Sequence, residues 1–171
     1  MASQIQSVQK RKYDAFLNFR RQDFEGSFVA DLYKRLEGIG IHAFKHDFEL
    51  ESREPIISKE ILEAIEESRI AITIFSLDYA SSTCCLEELT KIMKCVDHNK
   101  GQESFLVFYK VEPSYVLRPI GTFAVALAKH EADLKGTDLE KVQRWKDALH
   151  KAADMAGLKD YFSGAELARW S

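Results

Sequence analysis

The chain is poor in the residues that would commit it to several familiar chemistries. It has three cysteines in 171 residues, two of them adjacent, which is no disulfide framework and points to a reducing compartment. No combined Cys/His pattern resembles a zinc site. The five histidines, His42, His46, His98, His130 and His150, stand singly. Glycine is sparse, with eight residues, and no Gly-x-Gly-x-x-Gly follows the first strand candidate. No Walker-type loop is present either, so neither usual phosphate cradle is encoded. A Gly-x-Ser-x-Gly elbow is also missing. No apolar run approaches the ~18 residues that a membrane span requires. A net charge of −3 gives no general attraction to nucleic-acid phosphates.

What is there reads as one α/β domain. Hydrophobic residues make up 46% and charged residues 30%, enough for a core within a polar surface. Residues 1–12 are polar, without the apolar centre of a signal peptide, and read as a disordered leader ending in Lys10, Arg11 and Lys12. Apolar runs at 13–19, 41–44, 70–75 and 105–109 read as strands. Because the runs are continuous rather than alternating, the strands are expected to be buried on both faces.

Helical periodicity lies between the runs. It covers Phe28, Leu32, Leu36 and Ile39; then 58–68 with Ser58 as N-cap; then the stretch from Cys84 onward. Two further helices are expected, one around Phe123 to His130 and one through Leu139, Val142, Trp145, Leu149 and Ala152. Alternation of this kind predicts a parallel sheet of four to five strands with helices on both faces. The expected division is a leader at 1–12, a domain at 13–158 and a tail at 159–171.

In such sheets ligands sit at the carboxyl ends of the strands. Ser76 to Thr83 occupies that place after the third strand candidate, and a helix follows with Glu87 and Glu88 in its first turns. On a helical wheel Cys85, Leu89, Ile92, Met93 and Val96 form the apolar arc. Glu88 falls roughly 100° from its centre, at the border, and Glu87 roughly 160° away, facing water. Spacing alone leaves Glu88 open between a cleft carboxylate and a solvated glutamate near the positive end of a helix dipole. A phosphorelay receiver is disfavoured, because Phe75-Ser76 stands where its aspartate belongs.

Five motifs in register then carry a family resemblance. Tyr13-Asp14-Ala15-Phe16-Leu17-Asn18-Phe19-Arg20 resembles the opening of plant TIR (Toll/interleukin-1 receptor-like) domains. Ala64-Ile65-Glu66-Glu67-Ser68-Arg69-Ile70-Ala71 is similar to their second-helix-to-third-strand signature. Tyr79-Ala80-Ser81-Ser82 with Cys85-Leu86-Glu87-Glu88-Leu89 resembles the motif around their third helix. Phe108-Tyr109-Lys110-Val111-Glu112-Pro113-Ser114 with Gly121-Thr122-Phe123, and the segment 141–149, resemble the remainder.

The resemblance implies a flavodoxin-like three-layer fold and an NAD⁺ nucleosidase. Such an enzyme cleaves the nicotinamide–ribose bond in plant innate immune signalling and cell death. NAD⁺ would be substrate, with NADP⁺ as the alternative, and no prosthetic group or metal is implied. The family's catalytic glutamate maps to Glu88, and Glu87 takes the variable position of the motif. Arg20, Asn18, Ser76, Tyr79 and Cys84 map to the substrate cleft, although Arg20 read by itself could simply pair with Asp23. Asp47 and Arg53 fall in the loop that gates the site. Self-association through TIR–TIR interfaces is implied, as is pairing with other TIR-containing immune receptors. Ala30, Asp31 and Gly157 fall at the interface positions. The expected location is the cytoplasm, with the nucleus as a second site.

The chain departs from the family pattern at several points. Cys84 stands in place of a tryptophan, Arg21 of a glycine and Asn18 of a serine. A glycine expected near Arg53 is missing, and Ala30-Asp31 replaces a Ser-His pair. These losses motivate the rival expectation of a non-catalytic adaptor that signals only by TIR–TIR association.

Overall fold

The computed structural model describes residues 11–23, 28–46, 57–98, 101–134 and 138–157. Three parallel strands, β1 (Tyr13–Asn18), β2 (Ser68–Phe75) and β3 (Glu103–Phe108), form a sheet in the order β1-β2-β3. Around it lie α1 (Phe28–Gly38), α2 (Lys59–Glu66), α3 (Thr83–His98), the single turn α4 (Ser114–Leu117), α5 (Gly121–Asp133) and α6 (Leu139–Met155).

The strands alternate their side chains between two cores. Ala15, Leu17 and Ile74 pack with Val29 and Leu36 of α1 on one face. Phe16, Ala71 and Phe75 pack on the other with Ile61 and Ile65 of α2, Leu89 and Ile92 of α3, and Trp145 and Leu149 of α6. Each strand is therefore apolar at odd and even positions alike, the physical origin of the continuous runs. The architecture is the expected α/β class, helix over sheet over helix.

The strand count is lower than expected among the described residues. The second strand predicted at 41–44 is reduced to an isolated parallel bridge between Ala15 and Ala43. Gly40, at φ 85°, ends α1, and Ile41 N–H bonds back to the Leu36 carbonyl at 2.8 Å. The chain then follows β1 briefly, through Asp14 N–H to the His42 carbonyl (2.8 Å) and Phe44 N–H to the Ala15 carbonyl (3.0 Å). With the cap of α1 closing at Ile41, the pairing with β1 among the described residues is confined to this bridge and its flanking bonds.

Ser58 caps α2 as anticipated, its hydroxyl accepting Ile61 N–H at 3.3 Å. The turn α4 was not anticipated. The last helix is tied to its neighbours by three lysines at intervals of five. Lys141 pairs with Glu87 at 3.3 Å, Lys146 with Glu131, and Lys151 with Asp97. Such partly exposed pairs set orientation more than they stabilise.

Candidate active site

All three strands run parallel, so their carboxyl ends share one edge, and the polar residues gather there in two groups on opposite faces. On the α1 face, a small cleft is lined by Phe19, Arg20, Asp23, Phe28, Val29, Ile74, Ser76 and Tyr109. Ser76 donates its hydroxyl to Asp23 Oδ2 at 2.5 Å, and Arg20 Nη1 lies 3.4 Å from Asp23 Oδ1. Phe28 and Tyr109 stack 5.5 Å apart and 9° from parallel, giving the cleft a flat aromatic wall. By sequence alone Asp23 is only a possible partner for Arg20. Its link to Ser76 joins the ends of two strands and needed the fold to be seen.

On the other face, Glu88 is buried, with 3% of its surface exposed. The helical wheel placed it at the border of the apolar arc, and the structure carries it inside. α3 packs on the sheet and between two helices: α6 lies along the Leu86 side, and α2, whose Glu66 pairs with Lys91, along the side that carries Cys95 and Glu88. Glu87 does not face open water either, because Lys141 of α6 covers it.

Beneath the first turn of α3 lies a buried polar cluster. Asn18 Nδ2 donates to the Tyr79 hydroxyl at 2.6 Å and to the Cys85 carbonyl at 3.5 Å. The Tyr79 hydroxyl donates to that same carbonyl at 3.1 Å. Ser82 Oγ accepts Cys85 N–H at 3.3 Å, the bond of a helix N-cap. Asn18 is in register with Thr73 of β2, and Asn18 Oδ1 and Thr73 Oγ1 are both buried without a hydrogen-bond partner.

Burial is the chief influence on the titrating groups of this cluster. It pushes Tyr79 well above the ordinary phenol range, and the nearby Cys85 and Glu88 add to the rise, while the bond from Asn18 opposes it. Burial likewise drives the Cys85 thiol far above its usual range, and the Glu88 charge raises it further. Cys85 is accordingly a neutral packing residue with no thiolate to offer.

Of the residues expected at the cleft, Arg20 and Ser76 line it, and Cys84 is half-buried in the first turn of α3. Asn18 and Tyr79 are fully buried and bond to one another. On α1, Asp31 is exposed and Ala30 half-buried. Gly157, at φ 74°, follows α6 as a left-handed C-terminal residue. Asp47 and Arg53 lie outside the described residues. Among the described residues, no three His, Cys, Asp or Glu side chains converge to hold a metal ion.

Sheet and helices define an α/β architecture with helices on both faces, and comparison with known proteins gives its class. The TIR domain family model matches residues 12–166, and the chain belongs to that family. It is 42% identical to TMV resistance protein N of Nicotiana glutinosa over 90% of its own length, and 42% identical to disease resistance protein RUN1 of Vitis rotundifolia over 85%. It spans only 13% and 11% of those two relatives. Among solved structures, the TIR domains of the activated Roq1 resistosome, which directly recognises the pathogen effector XopQ, match with a TM-score of 0.76 and 43% identity. The match covers 92% of this chain and 94% of that one.

Proposed function

We propose that this domain is an NAD⁺ nucleosidase that cleaves the nicotinamide–ribose bond, acting in plant immune signalling when self-associated. The observation that carries the reading is the burial of Glu88, a carboxylate held under the first turns of a helix at the carboxyl edge of the sheet. A glutamate placed in this way suits the reaction. Nicotinamide in NAD⁺ already carries a positive charge, so its departure needs no general acid. The ribosyl cation left behind needs a nearby anion, which stabilises it electrostatically and can accept hydrogen bonds from ribose hydroxyls. Glu88 supplies that anion. Arg20, on the cleft wall, is placed in the role of contacting phosphate or ribose.

The immune role and the self-association rest on the relatives, which are named as disease resistance proteins and, in the solved structure, as a resistosome. Other TIR-containing receptors are the partners expected on this reading, and the cytoplasm its setting. The test is nicotinamide release from NAD⁺ by the purified chain at high concentration, beside Glu88→Ala. A fall of at least ~100-fold in the variant, about 2.7 kcal/mol of barrier, is expected. Equal turnover in both proteins would remove the assignment. Signalling that survives Glu88→Ala would instead favour the adaptor.

A further inference from the structure

We propose that Tyr79 and Asn18 are positioning residues that fix the first turn of α3, and with it Glu88, by clamping the carbonyl of Cys85. The proposal rests on the nucleosidase reading for its kinetic consequence. Its structural part stands alone.

Tyr79 is a rigid post. Its ring meets Phe75 edge-on at 4.8 Å and stacks on Phe123 at 6.3 Å, and no part of it reaches solvent. Its backbone is pinned on both sides, with Tyr79 N–H bonded to the Ser76 carbonyl and Ser82 N–H to the Tyr79 carbonyl. From this post the hydroxyl reaches the Cys85 carbonyl, and Asn18 reaches the same pair from the end of β1. Ser82 holds the N–H of the same residue. Cys85 is thus gripped at both of its peptide groups. Glu88 follows three residues later, roughly 60° round the helix and about 4.5 Å along it. Any tilt of the gripped turn is passed directly to the carboxylate.

Stability does not account for the arrangement. The cluster leaves Asn18 Oδ1 and Thr73 Oγ1 buried and unsatisfied. Buried polar groups in that condition cost free energy, whereas apolar side chains of similar shape would not. The Tyr79 hydroxyl and the Asn18 amide nitrogen are already engaged inside the protein, with each other and with the Cys85 carbonyl. What the cluster does achieve is a fixed relation between the ends of β1 and β2 and the helix turn that bears Glu88.

Tyr79→Phe keeps the ring packing and removes only the hydroxyl. We expect kcat for nicotinamide release to fall ~10- to 100-fold with KM within about twofold, because a shift of about 1 Å in a reacting group is enough for such a loss. The melting temperature should fall only modestly, since Asn18 Nδ2 and the Cys85 carbonyl lose the hydroxyl but the ring packing stays. Asn18→Ala should give a smaller fall of the same kind. Unchanged kcat in a folded Tyr79→Phe protein overturns the proposal, as does a loss that merely tracks unfolding. If the unsubstituted protein releases no nicotinamide, the nucleosidase reading fails and hydrogen exchange decides the clamp. Amides of 86–89 exchanging at least tenfold faster in Tyr79→Phe, with α6 unchanged, would uphold it. Equal exchange would overturn it.

Discussion

Ser76 donates its hydroxyl to Asp23 Oδ2 at 2.5 Å, bonding the residue after β2 to the turn after β1. Asp23 uses its other oxygen to hold Arg20 at 3.4 Å, so one carboxylate orients both polar residues of the cleft. Asp23→Ala would release both. The groups are partly exposed, so the stability cost should be only about 1 kcal/mol. On the nucleosidase reading the larger effect is expected on KM for NAD⁺, because an unrestrained Arg20 would have to be ordered anew to meet a phosphate. Chemical denaturation and steady-state kinetics on the same preparation separate the two. A loss of stability of several kcal/mol would contradict this account.

Gly121 begins α5 with φ 58°, and a Cβ there would stand 2.8 Å from Tyr115 Cε2. Both strain and overlap oppose a side chain at this position. Gly121→Ala should cost about 2 kcal/mol, part from the left-handed backbone and part from the contact. Combining it with Tyr115→Ala removes the overlap but leaves the strain, so the double variant should be less than additive. Thermal or urea unfolding of the unsubstituted protein and the three variants measures it. Strict additivity would show that the contact plays no part.

Lys110 is the one non-glycine with positive φ among the described residues, at 54°, directly after β3 and Tyr109. An L side chain there costs about 1–2 kcal/mol. Glycine would relieve that strain but lose about 0.5–1 kcal/mol to backbone entropy. Lys110→Gly also gives up the contact of Lys110 Nζ with the Tyr109 ring at 5.3 Å, so the net gain should be at most about 0.5 kcal/mol, seen as a slightly higher urea midpoint at unchanged slope. A lower midpoint would mean that the lysine makes a contact worth more than the strain.

The domain should weaken in alkali for a reason localised to the α3 cluster. Cys85 is held neutral by burial, so its folded pKa lies far above that of the unfolded chain. The stability it contributes is whole below the unfolded thiol value near ~8.5 and is lost progressively above it, by about 1.4 kcal/mol per pH unit. Tyr79 adds a second loss of the same sign above ~10. Unfolding free energy measured from pH 7 to 10 should decline, and Cys85→Ala should flatten the decline after an initial loss of packing. An undiminished slope in that variant would place the effect elsewhere.

How much of this could be read before the fold was known differs by the range of the interaction. The run 70–75 announced a strand because neighbours on both faces demand apolar residues, and β2 begins only two residues earlier. Ser58 announced its helix because a cap is a local bond. Residues 41–44 were apolar enough for a strand but became a single bridge, since ladder length depends on the chain either side. At the site, the wheel separated Glu88 from Glu87 but knew only the sheet-facing arc. It could not register that α2 also packs beside α3, with Lys91 paired to Glu66, on the flank of the wheel that carries Glu88. The bond between Asn18 and Tyr79 spans 61 positions, and no periodicity encodes it.

Those adjacent glutamates offer the sharpest test of the functional reading. They share helix, charge and approximate depth along the axis, and differ in what surrounds them. Glu87 pairs with Lys141 at 3.3 Å, with side chains still 31% and 43% exposed. Such a pair is worth well under 1 kcal/mol, so Glu87→Gln should leave both stability and nicotinamide release almost unchanged. Glu88→Gln keeps volume and much of the hydrogen-bonding capacity but removes the ionisable carboxyl group. If its charge stabilises a ribosyl cation, turnover should fall at least ~100-fold while the protein remains folded. If Glu88 acts only by packing, glutamine should preserve turnover. Comparable losses in both variants would mean that the helix as a whole, and not one carboxylate, is what the reaction needs.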